Sequence, residues 1–142
     1  MRTAKGYGAA NARTKFAISV INLGHHWGAF LVNTETKICY LFDPMQLSSN
    51  LSTLKEAVLT VVEKMLDMTD QLDYQVIAHC QQKDSTSCGI WCLVVLELLL
   101  FGATPETWYD YWKDSLYEVV GYLWLRYLRK VISLQLQQPK RV

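Results

Sequence analysis

No acidic side chain occurs before Glu35, although Arg2, Lys5, Arg13 and Lys15 all precede it. Such a start suggests a transit peptide, but residues 15–22 read as a strand, so residues 1–14 are taken as a basic, irregular N-terminus. Charge is scarce elsewhere too. Only 19% of the 142 residues are charged and 51% are hydrophobic. That balance excludes a disordered chain and permits a sizeable core. With 14 basic and 13 acidic residues, the net charge of +1 gives no basis for a nucleic-acid partner. Long apolar runs are missing as well. The longest oily stretch, Ile90 to Phe101, falls short of the ~20 residues that cross a bilayer, and residues 16–23 are too short and polar for a secretory signal. A soluble protein with no membrane partner is expected. The four cysteines, Cys39, Cys80, Cys88 and Cys92, are then read as reduced thiols of an intracellular, nuclear or cytoplasmic protein. No repeat, low-complexity tract or linker divides the chain, so a single, monomeric domain over 1–142 is expected.

What is present reads as an α+β domain. Residues 15–22 alternate weakly, as a strand does. Residues 26–32 and 37–43 are rich in aromatic and β-branched residues and flank the polar turn Asn33-Thr34-Glu35-Thr36, which predicts a hairpin. Leu54, Val58, Val61, Met65 and Met68 recur at helical spacing, and Thr53 with Glu56 has capping-box spacing, so a helix is placed over 53–68. The formal sequon Asn50-Leu51-Ser52 is read as a polar turn before it. Residues 73–78 form a short strand. Residues 88–101, oily on nearly every side, predict the central buried helix, ended by Gly102. Thr104-Pro105 opens another helix and Ser115-x-x-Glu118 the last, with Leu116, Val119, Val120, Leu123, Tyr127, Val131 and Ile132 at helical spacing. The late aromatics Trp108, Tyr109, Tyr111, Trp112 and Trp124 are read as helix packing, some of them in an exposed apolar patch. Strands, helix, strand, then helices favours α+β.

The hairpin brings two functional groups together. If Val32 faces Lys37, His26 faces Asp43 directly, with Cβ atoms about 5 Å apart. A carboxylate there accepts the Nδ1–H of the ring and aims Nε2 outward. The alternative is a strand-end histidine and a turn-forming aspartate before Pro44. His25 is an equal imidazole by composition but points to the opposite face. Cys88 sits where a polar loop meets the oily helix. Unpaired N–H groups and the helix dipole favour a thiolate there, and a nearby imidazolium favours it further. Gly89 permits close approach of another chain. The alternative is a small core residue, which is how Cys92 is read. Gln82, six residues before Cys88, can join the Cys88 N–H in binding an oxyanion, with Gln81 as its competitor.

Together these residues resemble the ubiquitin-like-protein protease family, the SUMO-protease-like cysteine peptidases. His26-Trp27 matches the family's His-Trp on one strand, and Asp43 matches the acid at the end of the next. Gln82 with Cys88-Gly89 matches its Gln-x(5)-Cys-Gly loop opening a buried helix. The resemblance implies a papain-like cysteine protease fold of the ubiquitin-like protease type, with a small central sheet and a buried helix opening at the nucleophile. It implies hydrolysis of the peptide or isopeptide bond after the C-terminal glycines of a ubiquitin-like modifier, without a metal or cofactor. Cys88 would attack, His26 would act as base and then acid, Asp43 would orient His26, and Gln82 would hold the oxyanion. Trp27 would cover the narrow channel for the modifier's tail. Two residues depart from the family's pattern. Ser87 stands where Asp is frequent and is expected to cap the helix. Asp84 stands where Asn is usual, and its charge is expected to oppose thiolate formation slightly. The segment before His26 is also shorter than the family's usual N-terminal region, which points to a reduced groove or a fragment.

Two other readings compete. One is a catalytically weak or inactive module that binds a ubiquitin-like protein. The other is a metal site built from His79, Cys80, Cys88 and Cys92, which leaves His26 and Asp43 unexplained.

Overall fold

In the computed structural model, residues 14–104 and 106–137 are described; the reading of 1–13 as irregular and of Pro105 as a helix start lies outside them. The chain forms a four-stranded sheet in the order β1-β2-β3-β4, with β1 at Phe16–Asn22, β2 at Trp27–Asn33, β3 at Ile38–Phe42 and β4 at Asp73–Val76. The first three strands run antiparallel, and β4 lies parallel to β3. A parallel neighbour needs a crossover. Here it is a helix, α1 (Ser48–Ala57), which continues through a π-helical turn (Val58–Val62) into α2 (Glu63–Met65). The long helix α3 (Cys88–Leu100) packs on the other side of the sheet, followed by α4 (Trp108–Tyr111), α5 (Asp114–Glu118) and α6 (Val120–Gln137). The architecture is α+β.

The sheet separates two cores. Phe30, Val32 and Leu41 meet Leu54, Val58 and Val62 on one face. On the other, Ala29, Leu31 and Phe42 meet Ile90, Trp91, Val94 and Val95. Alternation along β2 therefore sends successive side chains to different helices, and both faces are covered.

The hairpin forms, but in a register two residues away from the expected one. Val32 faces Cys39, not Lys37, and Asn33 faces Ile38. The reason lies in the turn. The Asn33 carboxamide accepts the N–H groups of Glu35 and Thr36 at 3.0 and 3.1 Å, so Asn33 ends the strand instead of opening the turn. Lys37 takes the left-handed backbone, φ 58°, and closes it. A two-residue shift keeps every side chain on its expected face.

The crossover helix starts earlier than expected, at Ser48. Thr53 is interior and donates to Ser49 O at 3.1 Å instead of capping, and Asn50 is helical, not a turn. The π-helical turn changes the phase of the apolar stripe. Leu54, Val58 and Val62 are buried at a spacing of four, while Val61, expected inward, is 39% exposed.

Helix α3 ends in a Schellman motif. Gly102 has φ +95°, its N–H reaches Leu99 O at 3.2 Å, and Ala103 N–H reaches Leu98 O at 3.0 Å. The helix is less enclosed than its composition suggested, since Leu93 and Leu100 are exposed. Its one charge, Glu97, fastens α6. Tyr127 Oη and Arg126 Nη2 donate to its two oxygens at 2.6 and 2.5 Å, with Lys130 at 3.8 Å. The expected last helix is split at Val119 into α5 and α6. Leu123 is buried in α6, and Val120 and Tyr127 pack partly against the core. Val119, Val131 and Ile132 are exposed, as are Trp124, Tyr111, Leu125 and Leu128. Trp112 instead packs at a tilt against Trp91 and edge-to-face against Tyr117. Among the described residues, no helix is long and apolar enough to cross a membrane.

Burial opposes the Glu97 charge, but the Tyr127 hydrogen bond and the Arg126 and Lys130 cations outweigh it and hold the carboxyl below the usual carboxylate range. A carboxyl depressed on folding stabilises above its unfolded pKa, about 4.3, and that contribution disappears as pH falls through the folded value. Glu97→Gln is therefore expected to cost about 1 kcal/mol at pH 7, discounted for the partly exposed Arg126, and much less at pH 3. Urea unfolding at both pH values checks this; an equal deficit at pH 3 rules out the ion cluster as the cause.

Candidate active site

His26 and Asp43 meet just outside the hairpin's paired region. Asp43 follows Phe42, the partner of Ala29, so the two side chains are diagonal and not directly opposed. They nevertheless bond, Nε2 of His26 to Oδ1 of Asp43 at 2.5 Å. This corrects the expected ring orientation: Nε2, not Nδ1, is held by the carboxylate. The two-residue register shift explains it, because a longer diagonal is spanned by the far nitrogen of the ring. His26 is buried, whereas His25 is exposed.

Asp43 is fully buried, and a buried carboxylate needs donors on both oxygens. It has them. Oδ1 also accepts Met45 N–H at 3.1 Å, and Oδ2 accepts Leu47 N–H at 2.9 Å and Asn50 Nδ2 at 3.0 Å. Leu47 is the N-cap of α1 and has no capping side chain of its own. Asp43 thus caps α1 from the preceding turn, where the helix dipole favours its charge. At Gly28 a Cβ would be tight, lying 3.3 Å from both Leu23 Cδ1 and Phe42 O, so a side chain there would require its neighbours to shift slightly.

Cys88 opens α3 and is half-buried. Two distances set this end of the helix against the start of β2. A Cβ on Gly89 would lie 4.0 Å from Trp27 Cδ1, and the Cys92 thiol, one turn further on, donates to Trp27 O at 3.4 Å. Cys92 is fully buried, and burial pushes its thiol pKa strongly up, with Cys88 and Asp43 adding to the effect. The helix end bearing Cys88 therefore lies beside the strand end bearing His26. Trp27 is 41% exposed beside them. Burial, with the Glu63 carboxylate adding, pushes Cys39 up to about 12, as befits a core thiol. None of the four cysteines is in a disulfide bond.

The loop before Cys88 is organised by Asp84. Its Oδ1 accepts Thr86 N–H at 3.0 Å, Ser87 N–H at 2.8 Å and the Ser87 hydroxyl at 2.5 Å. The Ser87 hydrogen bond leads in holding the Asp84 carboxyl below its ordinary range. Ser87 occupies the N-cap position but makes no side-chain cap, contrary to expectation, because its hydroxyl is committed to Asp84. Gln82 is 8% exposed. Its Nε2 donates to Asp84 O at 2.6 Å, its N–H donates to Pro44 O at 2.8 Å, and its Oε1 is buried without a partner. Gln81 is exposed, and its carbonyl accepts the Tyr117 hydroxyl at 2.6 Å.

Gln46 and Asn50 were not singled out in the sequence. Asn50 looked like part of a sequon. Gln46 carried no motif, although Asp43-Pro44 is a strong turn opening and Gln46 N–H closes that turn on Asp43 O at 2.9 Å. The proposed metal ligands do not gather: among the described residues no three His, Cys, Asp or Glu side chains converge on a metal position.

A sequence model of the Ulp1 protease family, C-terminal catalytic domain, matches residues 3–116. The chain belongs to the Ulp1 protease family. The solved structures agree on the fold. The SUMO protease Ulp1 with its catalytic cysteine oxidised to a sulfenic acid superposes with a TM-score of 0.65 at 15% identity, over 86% of this chain and 56% of that one. The form oxidised to a sulfonic acid gives 0.60 at 17% identity, over 72% and 50%. The C-terminal Ulp1 protease domain in complex with Smt3, the yeast ortholog of SUMO, gives 0.56 at 18% identity, over 72% and 49%. The fold is therefore the papain-like one of the Ulp1 type, and the chain spans about half the length of these structures. No curated protein shows significant similarity to the chain.

Within this Ulp1-family fold, the buried Asp43 carboxylate is expected to be structural as well as chemical. Asp43→Ala leaves the donors of His26, Met45, Leu47 and Asn50 without their acceptor, and is expected to cost about 2–4 kcal/mol. A urea midpoint unchanged by Asp43→Ala would contradict this.

Proposed function

We propose that the protein is a cysteine peptidase or isopeptidase that cleaves after the C-terminal glycines of a SUMO-like modifier. The observation that carries the reading is the buried His26–Asp43 bond beside the helix end that presents Cys88. Membership in the Ulp1 family supports it, and the Smt3 complex of a fold relative motivates the substrate class.

With Nε2 engaged by Asp43, Nδ1 is the nitrogen that takes the proton of the Cys88 thiol. The thiolate, favoured at the start of α3 by the helix dipole and the imidazolium, attacks the carbonyl carbon of the terminal glycine. The oxyanion is held by the Cys88 N–H and by the second Nε2 hydrogen of Gln82, the first being given to Asp84 O. His26 returns its proton to the leaving amine, and a thioester remains on Cys88. Water then loses a proton to His26 and attacks the thioester, which frees the glycine carboxylate and the thiol. Trp27 covers the modifier's tail, and Gly89 keeps the floor beside it low. Asp43 fixes the ring and balances its positive charge.

A SUMO-like modifier bearing a C-terminal electrophile tests this. The parent chain is expected to form a covalent adduct, and Cys88→Ala to form none. His26→Ala is expected to slow the adduct by at least about 100-fold. Binding without adduct in the parent would favour the non-cleaving module, and neither binding nor adduct would overturn the modifier reading.

A further inference from the structure

We propose that Gln46 is a positioning residue that locks the Asp43 turn to the loop carrying Gln82 and Cys88. Its catalytic consequence rests on the protease reading above; its mechanical part does not.

The backbone at Gln46 has φ 55°, a left-handed conformation that residues other than glycine and asparagine seldom adopt. What is gained in return is a side chain aimed inward. Gln46 Nε2 lies 2.8 Å from Asp43 O, 3.1 Å from Ile77 O and 3.3 Å from Cys80 O. These three carbonyls belong to the end of β3, the segment just past β4 and the start of the nucleophile loop. One amide with two hydrogens thus ties the end of β3 to the segment that leaves β4. A second stitch lies beside it, where Gln82 N–H donates to Pro44 O at 2.8 Å.

The two halves of the candidate site come from these segments. Asp43, which holds His26, hangs from the end of β3. Gln82 and Cys88 hang from the loop that leaves β4. Strand pairing between β3 and β4 ends at Leu41 and Val76, and Ile77 N–H adds one further bond to Leu41 O at 2.9 Å. Past that point, Gln46 supplies side-chain bonds between the two segments. Gln46 and Gln82 also line one cleft of about 500 Å³ with His79, Lys83 and Tyr117, and Gln82 is the candidate-site residue in that lining.

Gln46→Gly tests this, because glycine accepts the left-handed backbone and removes only the amide. Amide exchange measured on the full chain is expected to rise about tenfold at Gln82 and its loop, with β1 and β2 unchanged. The pH profile of Cys88 alkylation by iodoacetamide is expected to move upward, since a loosened His26–Cys88 geometry stabilises the thiolate less. Adduct formation with the modifier probe is expected to slow about tenfold at an unchanged half-saturating concentration. Unchanged exchange at Gln82 overturns the lock, whether or not the chain reacts with the probe. Faster exchange with an unmoved alkylation profile overturns the positioning role and leaves Gln46 a turn residue. If the parent forms no adduct while exchange and alkylation both respond to Gln46→Gly, the positioning role stands and the protease reading fails.

Discussion

The arrangement depends on one buried negative charge. Asp43 is removed from water, and a carboxylate there is tolerable only if its oxygens are filled with donors. The donors come from four places: the His26 ring, the turn N–H of Met45, the N-cap N–H of Leu47 and the side chain of Asn50. Satisfying the charge therefore fixes the histidine, shapes the turn after β3 and starts the crossover helix. The three features are linked because each helps to neutralise the same group.

The same logic explains which elements have slack and which do not. β2 is covered on both faces, so its register is pinned by burial. The turn at Thr34–Lys37 is exposed and adapts to Asn33. The site sits at the other end of that hairpin, beyond the last paired residues, where ladder bonds no longer set distances. Side-chain bonds from Asp43, Asp84 and Gln46 take over there.

Much of this was legible in the sequence, and what was not has identifiable causes. The strands, the oily helix and its Gly102 cap follow from local patterns. His26, Asp43, Gln82 and Cys88 stand out because their types and order carry chemistry. The hairpin register was missed because a polar turn gives no sign that Asn33 bonds forward to Glu35 and Thr36 and so ends the strand. The ring nitrogen was misassigned as a direct result. The start of α1 was misplaced because its cap comes from Asp43, which no capping-box pattern includes. The π-helical turn was invisible because valine at 58, 61 and 62 fits either phase. Gln46 was missed because glutamine in a turn has no distinguishing neighbour; only the fold brings three carbonyls to it.

The loop before Cys88 bears on the departures from the family pattern. A negative Asp84 near a nucleophilic thiol looked unfavourable. The structure commits that charge to Ser87 and Thr86, whose N–H groups and hydroxyl bind it, so its field is partly offset by local dipoles. That commitment also occupies the Ser87 hydroxyl, which would otherwise turn onto the first N–H groups of α3. With the N-cap side chain directed away, those N–H groups remain unspent on a local oxygen. Under the proposed reading they are the groups that favour a Cys88 thiolate and receive the oxyanion. Ser87 and Asp84 then form one unit: the acid expected to oppose ionisation diverts the hydroxyl that would have competed for the same donors.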